Sequence, residues 1–172
     1  SIGNEYIGWL TSPKALPSSV AGGTSLIDEN NTPKKVAKWA NRGEKGYNNN
    51  NDLLLHIRLG DVSQYSPGVN YFTNMINKIS YDNLFITTDN KNDSIIQALL
   101  TTFPFAKILE YDEIQTFQFA STCKYIVLSH GSFSATIGYL AYDSTIYYPS
   151  YNVGVLWFGD MFSIPNWIKV DI

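Results

Sequence analysis

The stretch LLLHIRLGDV, which runs from Leu53 to Val62, decides the fold that the sequence predicts. Leu53 to Arg58 is predicted to be a buried strand, because its apolar residues follow one another without the alternation of a half-exposed strand. His56 and Arg58 interrupt this apolar run two positions apart, so their side chains point to the same face of the strand. The strand then ends in Gly60-Asp61, where the chain turns polar.

Helical and strand patterns alternate after this first strand. Helices are predicted over Ser66–Ile79, from Asn92 or Asp93 to Phe103, over Asp112–Phe119 and over Ser132–Tyr142, and strands over Asn83–Thr88, Ala106–Glu110, Tyr125–Ser129 and Thr145–Pro149. Continuous apolar strands separated by helices are typical of parallel sheets that are covered on both faces. The sequence therefore predicts an α/β domain, a Rossmann-like and mostly parallel sheet with helices on both faces.

The chain is predicted to divide at the start of that strand. Residues 1–52 are rich in proline and glycine and are predicted to form an irregular amino-terminal segment, packed on the domain, with one short helix over Pro33 to Asn41. Residues 53–172 are predicted to form the α/β domain. Its tail, Ser150 to Ile172, is aromatic and is expected to pack on the sheet.

The composition excludes several classes of function. A net charge of −3 offers no basic stripe for nucleic acid. The apolar runs are too short for a membrane span, so we expect a cytoplasmic or membrane-peripheral protein with no transmembrane segment. A lone cysteine, Cys123, rules out an internal disulfide, and with two histidines it argues against a zinc site. No Asp-x-Asp pair is present to hold a nucleotide-sugar metal ion, so we expect no metal.

Arg58 is the residue whose position most needs an explanation. The chain has only two arginines, Arg42 and Arg58, and uses lysine for its other cationic side chains. A cation in an apolar strand needs an anion. That anion is either Asp61 or another carboxylate, in a structural ion pair, or a phosphate or carboxylate of a ligand. For His56 alone, a hydrogen-bonded structural role is the preferred interpretation.

The turn after the fourth predicted strand favours a phosphate. Gly131-Ser132-Phe133-Ser134 joins that strand to a helix, where free backbone N–H groups and the helix dipole attract anions. Ser132 or Ser134 could instead simply cap the helix. In a parallel sheet, ligands bind outside the carboxyl ends of the strands. Arg58 and this turn are therefore predicted to converge on one diphosphate.

The same residues resemble a known family. HIRLGD, His56 to Asp61, is similar to the His-x-Arg-x-Gly-Asp motif of fucosyltransferases, especially the α-1,2-fucosyltransferases of glycosyltransferase family eleven. LFITTDN from Leu84, CKYIVLSHGSFSATIGYLAYDSTIYYP from Cys123 and IPNWIKV from Ile164 resemble later segments of that family, in the same order. The resemblance covers the carboxyl-terminal part of the chain, from His56 onward.

The resemblance implies one half of a GT-B-type architecture and a metal-independent, inverting transfer of fucose from GDP-fucose to a glycan hydroxyl. Arg58 would hold the β-phosphate, and Ser132 to Ser134, with Phe133 between them, would form the other side of the diphosphate pocket. Asp89 would face the ribose or guanine. His56 would position the arginine or touch the donor, and Asp61 would orient the loop or act as the base.

The expected partners are thus a nucleotide-sugar donor and a glycan acceptor. Because the family has a whole amino-terminal domain before this motif, the chain is expected to be a truncated form, a domain of a larger polypeptide or a compact relative. A missing amino-terminal domain or a homo-oligomer partner could cover its aromatic tail. Two rival functions stay open, a non-catalytic module that binds a nucleotide sugar or a glycan, and another α/β enzyme that handles phosphate.

Overall fold

A computed structural model describes residues 49–150 and 164–172 of the chain. The short helix predicted over Pro33 to Asn41 lies outside these residues, as does nearly all of the predicted segment 1–52. Within the described ranges, no helix is long and apolar enough to cross a membrane.

Six strands and four α-helices make up the described domain. In chain order they are β1 (Asp52–Ile57), α1 (Val69–Lys78), β2 (Asn83–Thr88), α2 (Ser94–Thr102), β3 (Lys107–Ile108), α3 (Glu113–Ala120), β4 (Tyr125–Val127), α4 (Ser132–Leu140), β5 (Thr145–Pro149) and β6 (Ile168–Val170). A 3₁₀ segment, Gly60–Tyr65, lies between β1 and α1. All strand pairs are parallel, which confirms the predicted α/β, Rossmann-like class.

The strand order is β3-β2-β1-β4-β5-β6. The chain lays down β1, β2 and β3 toward one edge and then returns to place β4 on the other side of β1. In register, Leu54 of β1 lies between Phe85 of β2 and Ile126 of β4. The order therefore reverses between β1 and β4, and such a switch point is where open α/β sheets bind ligands.

Strand β1 is buried on both faces because each face carries its own apolar core. Leu53, Leu55 and Ile57 belong to the core formed with helices α1 and α2. Leu54 belongs to the opposite core, formed with helices α3 and α4. The alternation of a strand places His56 on the side of Leu54, toward α3 and α4.

Two helices begin where their capping residues predict. Asp93 accepts a hydrogen bond from the backbone N–H of Ile95 at the start of α2. Asp112 and Gln115 form a reciprocal capping box at the start of α3. Both carboxylates satisfy N–H groups that a helix start leaves unpaired.

Helix α1 begins later than the sequence predicts, at Val69 instead of Ser66. Ser66 is held extended (ψ 140°), as expected for a residue that precedes proline. Gly68 then has a φ of +88°, which a helix does not allow. The preceding polar residues form the 3₁₀ segment, which the sequence prediction missed.

The described part of the tail adds a strand to the sheet edge. Strand β6 pairs with β5, with Lys169 opposite Tyr148, so packing of this part of the tail on the sheet is confirmed and its strand is new. Trp167, just before β6, lies against α4 where Gly138 leaves room for its indole ring. A Cβ on Gly138 would stand 2.7 Å from that ring and 3.0 Å from Leu128.

We predict that Gly138→Ala destabilises the domain by about 1–3 kcal/mol through overpacking, offset in part by the better helix propensity of alanine. Urea unfolding measures the change. In a Trp167→Ala background the same substitution should cost less, because only the contact with Leu128 remains. Equal effects in both backgrounds would contradict the packing of Trp167 on Gly138.

Candidate functional site

The switch point brings together two loops that the sequence singles out. One leaves β1 and carries Arg58, Gly60 and Asp61. The other leaves β4 and reaches α4 through Ser129 to Gly131. Because β1 and β4 are parallel, hydrogen-bonded neighbours, both loops emerge at the carboxyl ends of the strands.

A hydrogen-bonded chain joins β1 to the start of α4. Nδ1 of His56 lies 2.9 Å from the hydroxyl oxygen of Ser134. That oxygen also accepts the backbone N–H of Ser129, at 2.8 Å. The hydroxyl of Ser134 has one proton to donate, and we assign this proton to the hydrogen bond with Nδ1 of His56. Nδ1 is then the acceptor, which places the imidazole proton on Nε2. His56 thus has the structural hydrogen bond that its place in a buried strand predicts.

His56 stays uncharged in this environment. It is 4% exposed. Its pKa is lowered from 6.5 to about 3, chiefly by burial, with Asp89 raising it and Arg58 lowering it by smaller amounts. No hydrogen bond to Nε2 is found among the described residues, whichever tautomer is present. A buried polar atom without a protein partner is uncommon and is often found where a ligand or water binds.

His130 is a member of the site that the sequence analysis missed. Its Nε2 lies 3.0 Å from the carbonyl oxygen of Val62. Because a carbonyl only accepts, Nε2 donates, and Nδ1 is left to accept the hydroxyl of Ser129 at 3.3 Å. The bond ties the β4 turn to the 3₁₀ segment after β1. Its position directly after a predicted strand, beside Gly131, was the available signal.

Burial also keeps His130 neutral. Its side chain has no exposed surface. The pKa is lowered to about 4, chiefly by burial, although the hydrogen bond to Val62 acts in the opposite direction. The site therefore contains two neutral imidazoles, and Arg58 supplies its positive charge.

Arg58 binds two carboxylates. Its Nη1 pairs with Oδ2 of Asp89, and its Nη2 donates to Oδ1 of Asp61 at 2.7 Å. The other oxygen of Asp89 accepts the backbone N–H of Leu59 at 2.7 Å. The sequence left open whether Arg58 pairs with a carboxylate of the chain, and the structure shows two such carboxylates. The Arg58 side chain is still 28% exposed, so solvent reaches part of it.

The register of β1 and β2 explains the pair with Asp89. Ile57 lies opposite Thr88, so Arg58 and Asp89 leave their strands side by side. Gly60 leaves room next to them, because a Cβ there would overlap the Asp89 carboxylate in its present position. Asp89 is therefore fixed within the loop. Each of its carboxylate oxygens holds one hydrogen bond and keeps a lone pair, so the expected contact with a ribose or guanine stays a prediction.

The start of α4 forms the other side of the site. Gly131 takes a φ of +92°, and no side chain caps the helix. Ser132 and Phe133 are half-buried there. The Phe133 ring stacks on Phe117 at 4.9 Å and contacts the His56 ring at 5.2 Å. The ring contacts fix the first turn of α4 against β1, with its leading N–H groups at the switch point.

The predicted site residues therefore lie together at the carboxyl ends of the strands. They are His56, Arg58, Asp61, Asp89, Ser132, Phe133 and Ser134. The hydroxyl of Ser134 is fully buried and is bonded to Ser129 and His56. Its role in this arrangement is to hold the turn. The helix start and the solvent-facing part of Arg58 are the groups able to attract an anion.

Among residues 49–150 and 164–172, no group of three or more histidine, cysteine, aspartate or glutamate side chains is arranged to hold a metal ion. Comparison with known proteins finds no matching family model, curated protein or solved structure. The resemblance to fucosyltransferases therefore stays a prediction that rests on the motifs themselves.

We predict that the domain loses stability as the pH falls from 7 to 5. The folded pKa values of His56 and His130 lie below 6.5, so the unfolded chain binds more protons in this interval. Each histidine loses about 2 kcal/mol of its contribution to the free energy of unfolding. That contribution is fully present above pH 6.5 and is lost as the pH falls toward the folded pKa. Urea unfolding at the two pH values measures it.

A His130→Gln variant provides the control for this pH dependence. The amide nitrogen of glutamine lies near the position of Nε2 and can still donate to the carbonyl of Val62, but it does not titrate, so the loss between pH 7 and 5 should fall by about half. The same slope in the variant and in the parent would contradict the buried, neutral state of His130.

Proposed function

We propose that this chain is the donor-binding part of a fucosyltransferase, which takes GDP-fucose as its donor and a glycan hydroxyl as its acceptor. The observation that carries the proposal is that Arg58 follows β1 and the start of α4 follows β4, the two neighbouring strands at the switch point of the sheet. A cation and a helix start on neighbouring strand ends suit the two phosphates of a nucleoside diphosphate.

The motifs add the identity of the sugar nucleotide. HIRLGD supplies Arg58, and the segment from Leu84 supplies Asp89, in the order that the fucosyltransferase resemblance requires. Nε2 of buried His56 has no hydrogen bond among the described residues, which also supports a ligand at this point, because a phosphate or hydroxyl oxygen would satisfy it. These features favour a nucleotide-sugar donor over an unrelated anion.

The chemistry of the proposed reaction suits such a site. Breaking the bond between C1 of fucose and the β-phosphate oxygen leaves negative charge on GDP, while the acceptor hydroxyl attacks C1 from the opposite face and passes its proton to a base, for which Asp61 is the candidate. Arg58 and the N–H groups of Ser132 and Phe133 would stabilise this charge without moving, as preorganised dipoles and cations do. Loss of one such group typically costs on the order of a hundredfold or more in rate.

The two carboxylates on Arg58 favour a second candidate, a module that binds a nucleotide sugar without turning it over. Asp61 and Asp89 already offset the charge of Arg58, which weakens it as an electrostatic catalyst. Release of GDP from GDP-fucose, with and without glycan acceptors, separates the two. Tight binding without turnover under any of these conditions would favour the binding module.

We predict that Arg58→Ala weakens GDP binding by roughly 10- to 150-fold, the usual worth of a hydrogen bond to a charged group. Calorimetry measures the affinity, and urea unfolding checks that the domain stays folded. Arg58→Lys keeps the charge but loses the planar fork, so its affinity should fall between those of the parent and the alanine variant. Parent-like affinity in Arg58→Ala would refute the proposed site.

We also predict that chelation leaves turnover unchanged, because Arg58 and the start of α4 supply the positive potential in the proposed mechanism. The measurement is GDP release from GDP-fucose in EDTA, compared with the same assay in added manganese. An absolute requirement for manganese would contradict the fucosyltransferase proposal.

A further inference from the structure

We infer that the two carboxylates on Arg58 have different functions in the proposed donor site. Asp89 is a positioning residue that stays with Arg58 when the ligand is bound. Asp61 is an exchangeable partner, which leaves when a phosphate oxygen takes its place on Nη2. The inference rests on the proposed nucleotide-diphosphate site and adds how that site opens to its ligand.

Asp89 is held from two sides. One oxygen accepts the backbone N–H of Leu59, and the other pairs with Nη1 of Arg58. Its side chain is 27% exposed, and Gly60 packs directly against the carboxylate. Removing Asp89 from Arg58 would leave the N–H of Leu59 unpaired or move the whole loop. Asp89 therefore fixes the direction in which Arg58 points.

Asp61 is held from one side only. Its single hydrogen bond among the described residues is the one from Nη2 of Arg58, at 2.7 Å, and its side chain is 80% exposed. An exposed ion pair of this kind contributes little to stability, since water and salt compete for both groups. A phosphate oxygen can take over the same N–H and regain the interaction that Arg58 loses.

Neutralising Asp61 and neutralising Asp89 should have opposite effects on anion binding, which simple electrostatics does not predict. If the carboxylates acted only through their charge, neutralising either one would strengthen the binding of an anion. In our interpretation the two variants have opposite effects. Loss of the Asp61 charge removes a competitor, whereas loss of the Asp89 charge leaves Arg58 free to take many conformations, and ordering it again costs affinity.

The experiment measures the affinities of GDP and of inorganic pyrophosphate for three single variants by calorimetry. Asp61→Asn should bind about two- to fivefold more tightly than the parent. Asp89→Asn should bind about two- to tenfold more weakly. Asp82→Asn is the matched control, because Asp82 is exposed and lies before β2, at the amino-terminal ends of the strands, away from the site. It changes the net charge equally and should leave the affinity unchanged.

Folding does not confuse the result. Asparagine at position 89 keeps an oxygen that can accept the N–H of Leu59, and urea unfolding of each variant checks that the domain is intact. If the parent binds GDP and both site variants bind it more tightly, or Asp61→Asn gains nothing, the division of functions is wrong and the proposed site stands. If the parent binds neither probe, the proposed site and this inference both fall.

Discussion

The hydrogen bond between His56 and Ser134 is the constraint on which the site depends. It places a neutral imidazole inside the central strand and joins that strand to the first turn of α4. The imidazole is tolerated there because it is uncharged and bonded at Nδ1. With β1 and α4 fixed to each other, Arg58, the first residue after β1, leaves the sheet at the same switch point as the helix start.

The loops after β1 and β4 form one connected unit around this bond. His130 links the β4 turn to Val62 in the 3₁₀ segment, and Asp89 links the end of β2 to Leu59 and Arg58. Three strand ends are thus bonded to one another through side chains. Hydrogen bonds of this kind hold the side chains that contact a ligand in position before the ligand binds.

The sequence predicted the parts of the fold that follow from local patterns. The buried strand at Leu53, the cap Asp112 and the parallel order of strands and helices follow from periodicity, capping and the topology of parallel sheets. For α2 the sequence offered Asn92 or Asp93 as the cap, and Asp93 is the one used. Features that depend on contacts between distant residues were not predictable. The ion pair of Asp89 with Arg58 depends on the β1–β2 register. Strand β6 is too short to show the sequence pattern of a strand.

The central claim is that Arg58 and the start of α4 receive one diphosphate, and a crystal structure of the chain with GDP tests it most directly. The account predicts the β-phosphate on Nη2 of Arg58 and near the N–H groups of Ser132 and Phe133, with Asp89 still in place. GDP bound away from the switch point, with Arg58 still bonded to both Asp61 and Asp89, would contradict the account.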